Sequence, residues 1–344
     1  MFGLPHLQTL TEGIALLQAT NSVYLSDLSP KDKSWDKRRV EADGFKALLN
    51  GTLYHTYAVR IADCSCELVF AFAVDENGMC SFKLQAARFC RVRLCPVCQG
   101  RRALMWTAKT IKIMPKVLED YPKSRFILLT LTVRNCELSN LRAKLSQMHH
   151  AWTKLLKRKE WNVQGWVRTT EVTRGQDDTA HPHYHCLLMV SPGYFSNGYI
   201  SQERWVELWR GCLRASYDPV VDVRSVRPKR GKEGQLGQDA ISALVETIKY
   251  TVKPSDILRG DNRQQPGQRI RMNDEAWLTE LITQLHKTRA IATGGILKDY
   301  LKVLEDEPLD LIHVDENGET QADEQSPRVA FVWGETGKRY LMNG

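Results

Sequence analysis

Two histidines separated by one residue, His183 and His185, stand at the head of an apolar run, Cys186-Leu187-Leu188. On an extended strand alternate side chains share a face, so the two imidazoles lie close enough to grip one divalent ion. His181 has the same parity but sits at the loop end and is peripheral. In the preceding segment Arg168-Thr169-Thr170-Glu171-Val172-Thr173, Glu171 can face His183 across a hairpin. Two imidazoles and a carboxylate make a three-ligand, open-sided site suited to Mg²⁺ or Mn²⁺. The plainer alternative is a polar pair on the wet face of a hairpin. The apolar run that follows at once, and the carboxylate on the neighbouring strand, weigh against it.

A second group lies in Glu246-Thr247-Ile248-Lys249-Tyr250-Thr251-Val252-Lys253. Ile241, Leu244, Val245, Ile248 and Val252 form one apolar stripe at helical spacing, which leaves Glu246, Tyr250 and Lys253 on the opposite face. Glu246 and Tyr250 are one turn apart. A phenol, with a pKa of about 10, is a poor nucleophile until its phenolate is stabilised. A nearby Lys and a divalent ion polarising a phosphate supply that. The phenolate then attacks phosphorus, displaces a 3′-hydroxyl and keeps the 5′-phosphate as a phosphotyrosine. A carboxylate within reach activates water, or another hydroxyl, to release the adduct. An exposed helix face with a chance Tyr is the alternative.

The third group is cysteine. Of nine cysteines, six fall within 35 residues, among them the five of the cluster, Cys64, Cys66, Cys90, Cys95 and Cys98. The chain is too long for a disulfide-stapled mini-domain, so clustering reads as metal binding. Cys95-x2-Cys98 is half of a structural zinc knuckle, and Cys64 or Cys66 would close a tetrahedral Zn²⁺ site with Cys90. Arg91, Arg93, Arg101 and Arg102 crowd this cluster and would present cations to DNA phosphates, as would Lys249. Cys136, Cys186 and Cys212 lie in or beside apolar segments and read as buried thiols.

These groups need elements to hold them. Phe126–Val133 (FILLTLTV) reads as a buried strand and Leu138 to about Lys159 as a helix. Trp166–Thr173 and Tyr184–Val190 read as strands joined by a hairpin-length loop. Gln202–Ser216 follows as a helix, Val220–Val226 as a strand and Ala240–Val252 as a helix closed by Pro254. That β-α-β-β-α-β-α order predicts an α+β fold, a central antiparallel sheet with flanking helices. The hairpin between the central strands argues against a doubly wound sheet. Upstream, Val69–Ala73 and Ser81–Leu84 read as short strands about the turn Asp75–Gly78. Downstream come helices near Glu275–Arg289 and Leu297–Leu304 and a terminal hairpin, Val329–Trp333 with Arg339–Met342. The expected divisions are an N-terminal leader over 1–50, a cysteine-rich zinc-knuckle and basic segment over 51–123, a catalytic domain over 124–260, and a helical and acidic region over 261–344.

The formal net charge is +8, and its distribution is uneven. Between Arg88 and Arg125 there are ten Lys or Arg and two acids; from Leu304 to Gln325 there are nine acids and no Lys or Arg. One basic face for a polyanion, with an acidic tail away from it, follows. No apolar run approaches the roughly 20 residues of a membrane span, and the N-terminus lacks a secretory layout, so a cytoplasmic protein without a membrane partner is expected.

Taken in order, these motifs resemble those of the replication initiators of small rolling-circle plasmids of Gram-positive bacteria, within the HUH endonuclease superfamily. The similar stretches are FILLTLT (Phe126–Thr132), His183-Tyr184-His185 with its apolar run, ETIKYTVK (Glu246–Lys253), FCRVRLCPVCQGRRA (Phe89–Ala103) and Gly294-Gly295-Ile296-Leu297-Lys298. The resemblance runs from roughly residue 35 to the end. It implies a ferredoxin-like HUH core and a bacterial nickase acting on a plasmid double-strand origin, bound as duplex and as exposed single strand. Tyr250 would be the nucleophile, His183, His185 and Glu171 the metal ligands, and Glu246 the glutamate that ends the cycle by hydrolysis. It implies Cys64 over Cys66 in the zinc site, and a host helicase and polymerase as partners. Pro182 and the extra thiol of Cys66 depart from the pattern. Two other readings expect different things. A His/Glu non-haem iron enzyme expects a jelly-roll sheet and gives Glu246 and Tyr250 no role. A non-enzymatic zinc-knuckle repressor expects DNA binding without nicking.

Overall fold

A computed structural model describes residues 23–74, 80–226, 253–259, 273–302 and 327–343. The expected helix Ala240–Val252, the basic loop Arg227–Gln235, the turn Asp75–Gly78 and the acidic stretch therefore lie outside the described residues. After short helical turns at Leu25–Leu28 and Pro30–Lys33, the elements in chain order are α1 (Ser34–Leu49), α2 (His55–Ala62), β1 (Glu67–Val74), β2 (Cys80–Ala87) and α3 (Pro96–Asp120). They continue with β3 (Arg125–Thr132), α4 (Leu141–Leu155), β4 (Val163–Arg174), β5 (Ala180–Val190), α5 (Gln202–Leu213) and β6 (Val221–Ser225). After a single helical turn, Pro254–Ile257, come α6 (Asp274–Leu285), β7 (Ile291–Gly295), α7 (Ile296–Lys302), β8 (Arg328–Gly334) and β9 (Arg339–Asn343). The fold is α+β, as expected, and among the described residues the upstream strands and the terminal hairpin form a second antiparallel sheet in addition to the expected central one.

The chain forms two compact units, Met1–Leu104 with Pro308–Gly344, and Met105–Glu307. In the first, the order is β2-β1-β8-β9, so the terminal hairpin completes a sheet begun some 250 residues earlier. Phe70, Phe82 and Phe331 meet edge to face at its centre, with ring centroids 5.9–6.0 Å apart. Each is almost fully buried, the arrangement aromatic quadrupoles favour. The expected leader contains the 16-residue helix α1. Its Arg39, 1% exposed, donates to the carbonyls of Ile61 and Ala62 at 3.0 Å each and to that of Cys64, and pairs with Asp43 at 2.9 Å. This guanidinium satisfies the free carbonyls at the end of α2 and fixes the turn from which Cys64 projects.

The second unit carries a five-stranded sheet of order β6-β3-β5-β4-β7. The apolar positions foreseen on α4 are buried: Leu141, Leu145, Met148, Trp152 and Leu155. Tyr184 of β5 touches Trp152 and, at 6.4 Å, Trp209 of α5. The helices therefore lie over the face that carries Tyr184. By strand alternation His183 and His185 emerge on the other face.

Candidate active site

Register brings the first group together. Glu171 of β4 is directly opposite His183 of β5, and its Oε2 lies 3.2 Å from Nε2 of His183 and 2.8 Å from Nε2 of His185. Glu171 is 4% exposed, and His185, nearest solvent, leaves the group one open side. The ligand atoms of all three lie within 4.8 Å of one another. Adjacent ligands of an octahedral ion at about 2.1 Å are about 3.0 Å apart, so the two observed separations fit a small divalent cation. Burial pushes the Glu171 carboxyl up, but hydrogen bonds from His183 and His185 and their charges outweigh it and hold it well below the usual carboxylate range. Its Oε1 is buried and makes no hydrogen bond, while Oε2 faces both imidazoles. The donors fit Mg²⁺ or Mn²⁺.

Each imidazole is oriented from behind. Nδ1 of His183 faces the carbonyl of His181 at 3.2 Å, and Nδ1 of His185 faces Oγ1 of Thr130 at 3.3 Å. A carbonyl can only accept, so Nδ1 of His183 carries a proton, and Nε2, which gives up its own proton when a cation binds, would be the ligand atom. The sequence reading missed Thr130. Its signal was a polar residue within the apolar run Phe126–Thr132, and β3–β5 pairing sets it opposite His185.

Lys253 reaches the same carboxylate, with Nζ 3.6 Å from Oε1 of Glu171. The segment that follows is pinned by Arg259, whose guanidinium donates to the carbonyls of Gly175, at 2.9 Å, and Arg174. Arg174 is held in turn by Asp178 at 2.8 Å and Asp274 at 2.7 Å. The end of the β4–β5 hairpin, α6 and the chain leaving Lys253 are thus joined beside Glu171. Asp256, which the sequence reading also missed, lies in this segment. Burial pushes its carboxyl up, against the charges of Arg259 and Lys253. Tyr250, Glu246 and Lys249 lie outside the described residues.

In the first unit, Cys64, Cys90, Cys95 and Cys98 are brought together and all are buried. Sulfur separations are 3.7 Å for Cys64–Cys98, 3.5 Å for Cys90–Cys98 and 3.8 Å for Cys64–Cys95. Four sulfurs at about 2.3 Å from a tetrahedral Zn²⁺ have edges of about 3.8 Å, so the set fits zinc. Amide groups of Cys90 and Val92 donate to the sulfurs of Cys64 and Cys90, each at 3.4 Å. Hydrogen bonding with Cys64 holds the thiols of Cys90 and Cys98 low. Bonding with Cys90 pushes Cys64 up, and bonding with Cys64 pushes Cys95 up. Ionising all four thus calls for a cation. Cys66 stands apart, its thiol donating to the carbonyl of Ala62 at 2.9 Å.

The arginines expected to meet phosphates divide. Arg91 is exposed, at the left-handed φ of 56°. Arg93 and Arg102 are partly buried, and Arg102 donates to the carbonyl of Arg93 at 3.4 Å. Burial, then the charge of Arg102, pushes Arg93 down to about 10. Arg101 is instead 7% exposed, its guanidinium 5.6 Å from the rings of both Trp35 and Phe89. Its charge is committed to aromatic packing, which the sequence could not show because Trp35 is distant along the chain.

With this geometry in view, a family model described as "Replication protein" matches residues 81–341. The chain belongs to this Rep family of replication proteins. It is similar to "Protein rep" of Streptococcus pneumoniae serotype 2 (strain D39 / NCTC 7466), 32% identical over 325 residues that cover 91% of this chain and 92% of that protein. Proteins of the same name from Lentilactobacillus hilgardii and Lactiplantibacillus plantarum are 32% and 34% identical, each over 91% of this chain and 96% of their own length. No solved structure matches the chain. In this Rep family member the matched span contains Glu171, His183, His185, Lys253 and three of the four clustered cysteines; Cys64 precedes it.

Proposed function

We propose that this Rep family member is a plasmid replication initiator, acting as a metal-dependent nickase at a double-strand origin through a tyrosine nucleophile. The observation that carries the reading is one carboxylate, Glu171, shared by His183, His185 and Lys253 at 3.2, 2.8 and 3.6 Å. Lys253 follows Tyr250 by three residues. Chain connectivity alone limits their Cα separation to about 11 Å.

A divalent ion held by Glu171, His183 and His185 would polarise the scissile phosphate and draw charge off its oxygens. The Tyr250 phenolate, favoured by the Lys253 ammonium, attacks phosphorus. The bond to the 3′-oxygen breaks, that oxygen leaves as a hydroxyl, and the 5′-phosphate stays on the phenol. Glu246 later removes a proton from water, or from a strand's 3′-hydroxyl, which attacks the same phosphorus and frees the tyrosine by hydrolysis or religation. The five-stranded sheet with its helices is assigned to the HUH core, a zinc-bound Cys64-Cys90-Cys95-Cys98 knuckle steadies the first unit, and Arg91, Arg93, Arg102 and Lys249 meet origin DNA. A host helicase and polymerase would extend the nicked strand in the bacterial cytoplasm. No helix among the described residues is long and apolar enough to cross a membrane.

The two alternatives fare less well. Among the described residues the triad sits on a five-stranded antiparallel sheet flanked by helices, not a jelly roll, which removes the support for an iron enzyme. A repressor gives the convergence of Lys253 on the triad no purpose. The test is supercoiled origin plasmid incubated with the protein and Mg²⁺ or Mn²⁺. The reading expects a nick carrying a denaturation-resistant 5′ adduct, and for Glu246→Ala a nick whose adduct is not released. DNA binding without nicking in either metal favours the repressor.

A further inference from the structure

The helix-covered face of the five-stranded sheet, opposite the histidines, holds a cavity of about 530 Å³ between α4, β4 and β7. That volume lies within the range of about 300–1,000 Å³ usual for small-ligand sites. Its inner wall is Arg168 of β4, which alternation turns away from Glu171. Arg168 is 4% exposed, and its Nε and Nη1 are buried without a hydrogen-bond partner. No Asp or Glu is among the described residues lining the cavity, whereas Arg142 and Arg289 also line it. Both of these are exposed at its rim. The guanidinium carbon of Arg168 is 4.2 Å from the ring centre of Tyr184 and 5.0 Å from that of Trp152. Those ring faces offset part of the desolvation of the cation but satisfy none of its N–H groups. A buried cation with open donors and no counter-charge is a binding group lacking its anion. His149, at the rim, shows the same field: burial, then the positive charges of Arg168, His150 and Arg289, push its imidazole down.

The rest of the lining defines the ligand further. Trp166, partly exposed, forms a flat wall. Its indole lies against β7 because position 294 is glycine; a Cβ there would be 2.3 Å from Cε2 of Trp166. A planar guanidinium matches a phosphate with two parallel hydrogen bonds, and an indole face takes an aromatic base. We infer that this cavity is a nucleotide-binding site, the phosphate held by Arg168 with Arg142 and Arg289 and the base against Trp166. The nucleotide is either free or one unit of a DNA strand, and the chemistry of recognition is the same for both.

Isothermal titration of the full-length protein without added divalent metal, so that the triad cannot recruit a phosphate through an ion, tests this. The titrants are 5′-dAMP, inorganic phosphate and an oligothymidylate lacking origin sequence. Saturable dAMP binding is expected, about tenfold or more tighter than phosphate, and about tenfold or more weaker in Arg168→Met. The double variant Arg142→Ser/Arg289→Ser, at exposed positions, is expected to weaken dAMP several-fold and decides the matter should Arg168→Met not fold by circular dichroism. Competition between oligothymidylate and dAMP identifies the ligand as a strand; dAMP binding unaffected by the oligonucleotide identifies a free nucleotide. The inference is overturned if the wild type shows no saturable dAMP binding, if the folded variants bind dAMP as the wild type does, or if phosphate alone binds as tightly.

Discussion

At the scale of single residues, the chemistry turns on how one carboxylate is shared. Glu171 lies between two imidazole nitrogens and an ammonium, and all three partners favour its ionised form. Removing it leaves His183 and His185 without the charge that balances a cation, so Glu171→Ala is expected to lower metal-dependent nicking by on the order of 100-fold or more. A plasmid-relaxation time course would show this, and near-normal rates would exclude Glu171 as a ligand. The same shift has a consequence for stability. Because the imidazoles hold the folded carboxyl below its unfolded value, its contribution is fully present above the ordinary Glu pKa of about 4.3 and is lost as pH falls beneath it. In metal-free protein the melting-temperature advantage of wild type over Glu171→Gln is therefore expected to shrink between about pH 5 and pH 3. An advantage unchanged by acidification would contradict this. The triad was legible in the sequence because it needed only strand parity and one hairpin: His-X-His, and a Glu on the preceding strand. Thr130, Asp256 and Arg259 were not legible, since their roles depend on pairing and packing across separate elements.

At the scale of elements, α3 and β7 escaped the sequence through Gly and Pro. Helix α3 spans 25 residues but contains Pro115 and Gly100, residues unfavourable inside helices. Strand β7 ends in Gly294-Gly295, poor strand formers, so the segment before α7 carried no strand signal. The structure gives those glycines a steric reason. Gly295 has φ +59°, and a Cβ on it would be 2.2 Å from the carbonyl oxygen of Gln164. Gly165, its partner on β4, faces the backbone of Leu297 at 2.8 Å by the same measure. Gly295→Ala should therefore strain or unpair the β4–β7 edge and destabilise the protein by about 1–3 kcal/mol. A urea denaturation midpoint equal to wild type would show that the edge relaxes freely. The strands β3, β4 and β5 and the helix α4 were foreseen to within a few residues, because the strands are short segments buried almost throughout and α4 carries one apolar stripe at helical spacing.

At the scale of the whole molecule, the first unit joins segments that the sequence presents as its beginning and end. β8 pairs with β1 over Glu67–Ala71, and the phenol of Tyr340 on β9 donates to the carbonyl of Ser65 at 2.7 Å, directly beside Cys64. No local pattern announces a pairing across that distance, so the terminal hairpin was visible and its partner was not. The cysteine cluster lies in this unit, and four buried thiols without an ion to bridge them are a poor core. Chelation of zinc is expected to lower hydrogen-exchange protection in β1, β2 and the Cys90–Cys98 turn while β3–β5 keep theirs. Uniform protection before and after chelation would mean that the cluster holds no structural metal.

The most direct measurement of the central claim is the identity of the residue joined to DNA. Wild-type protein and Tyr250→Phe are each incubated with supercoiled origin plasmid and Mg²⁺ or Mn²⁺, denatured, digested with protease and nuclease, and examined by mass spectrometry. The account predicts a 5′-phosphotyrosyl nucleotide on the peptide containing Tyr250 in the wild type, and neither adduct nor nick with Tyr250→Phe. An adduct on another residue, or nicking that survives the loss of the Tyr250 hydroxyl, would contradict it.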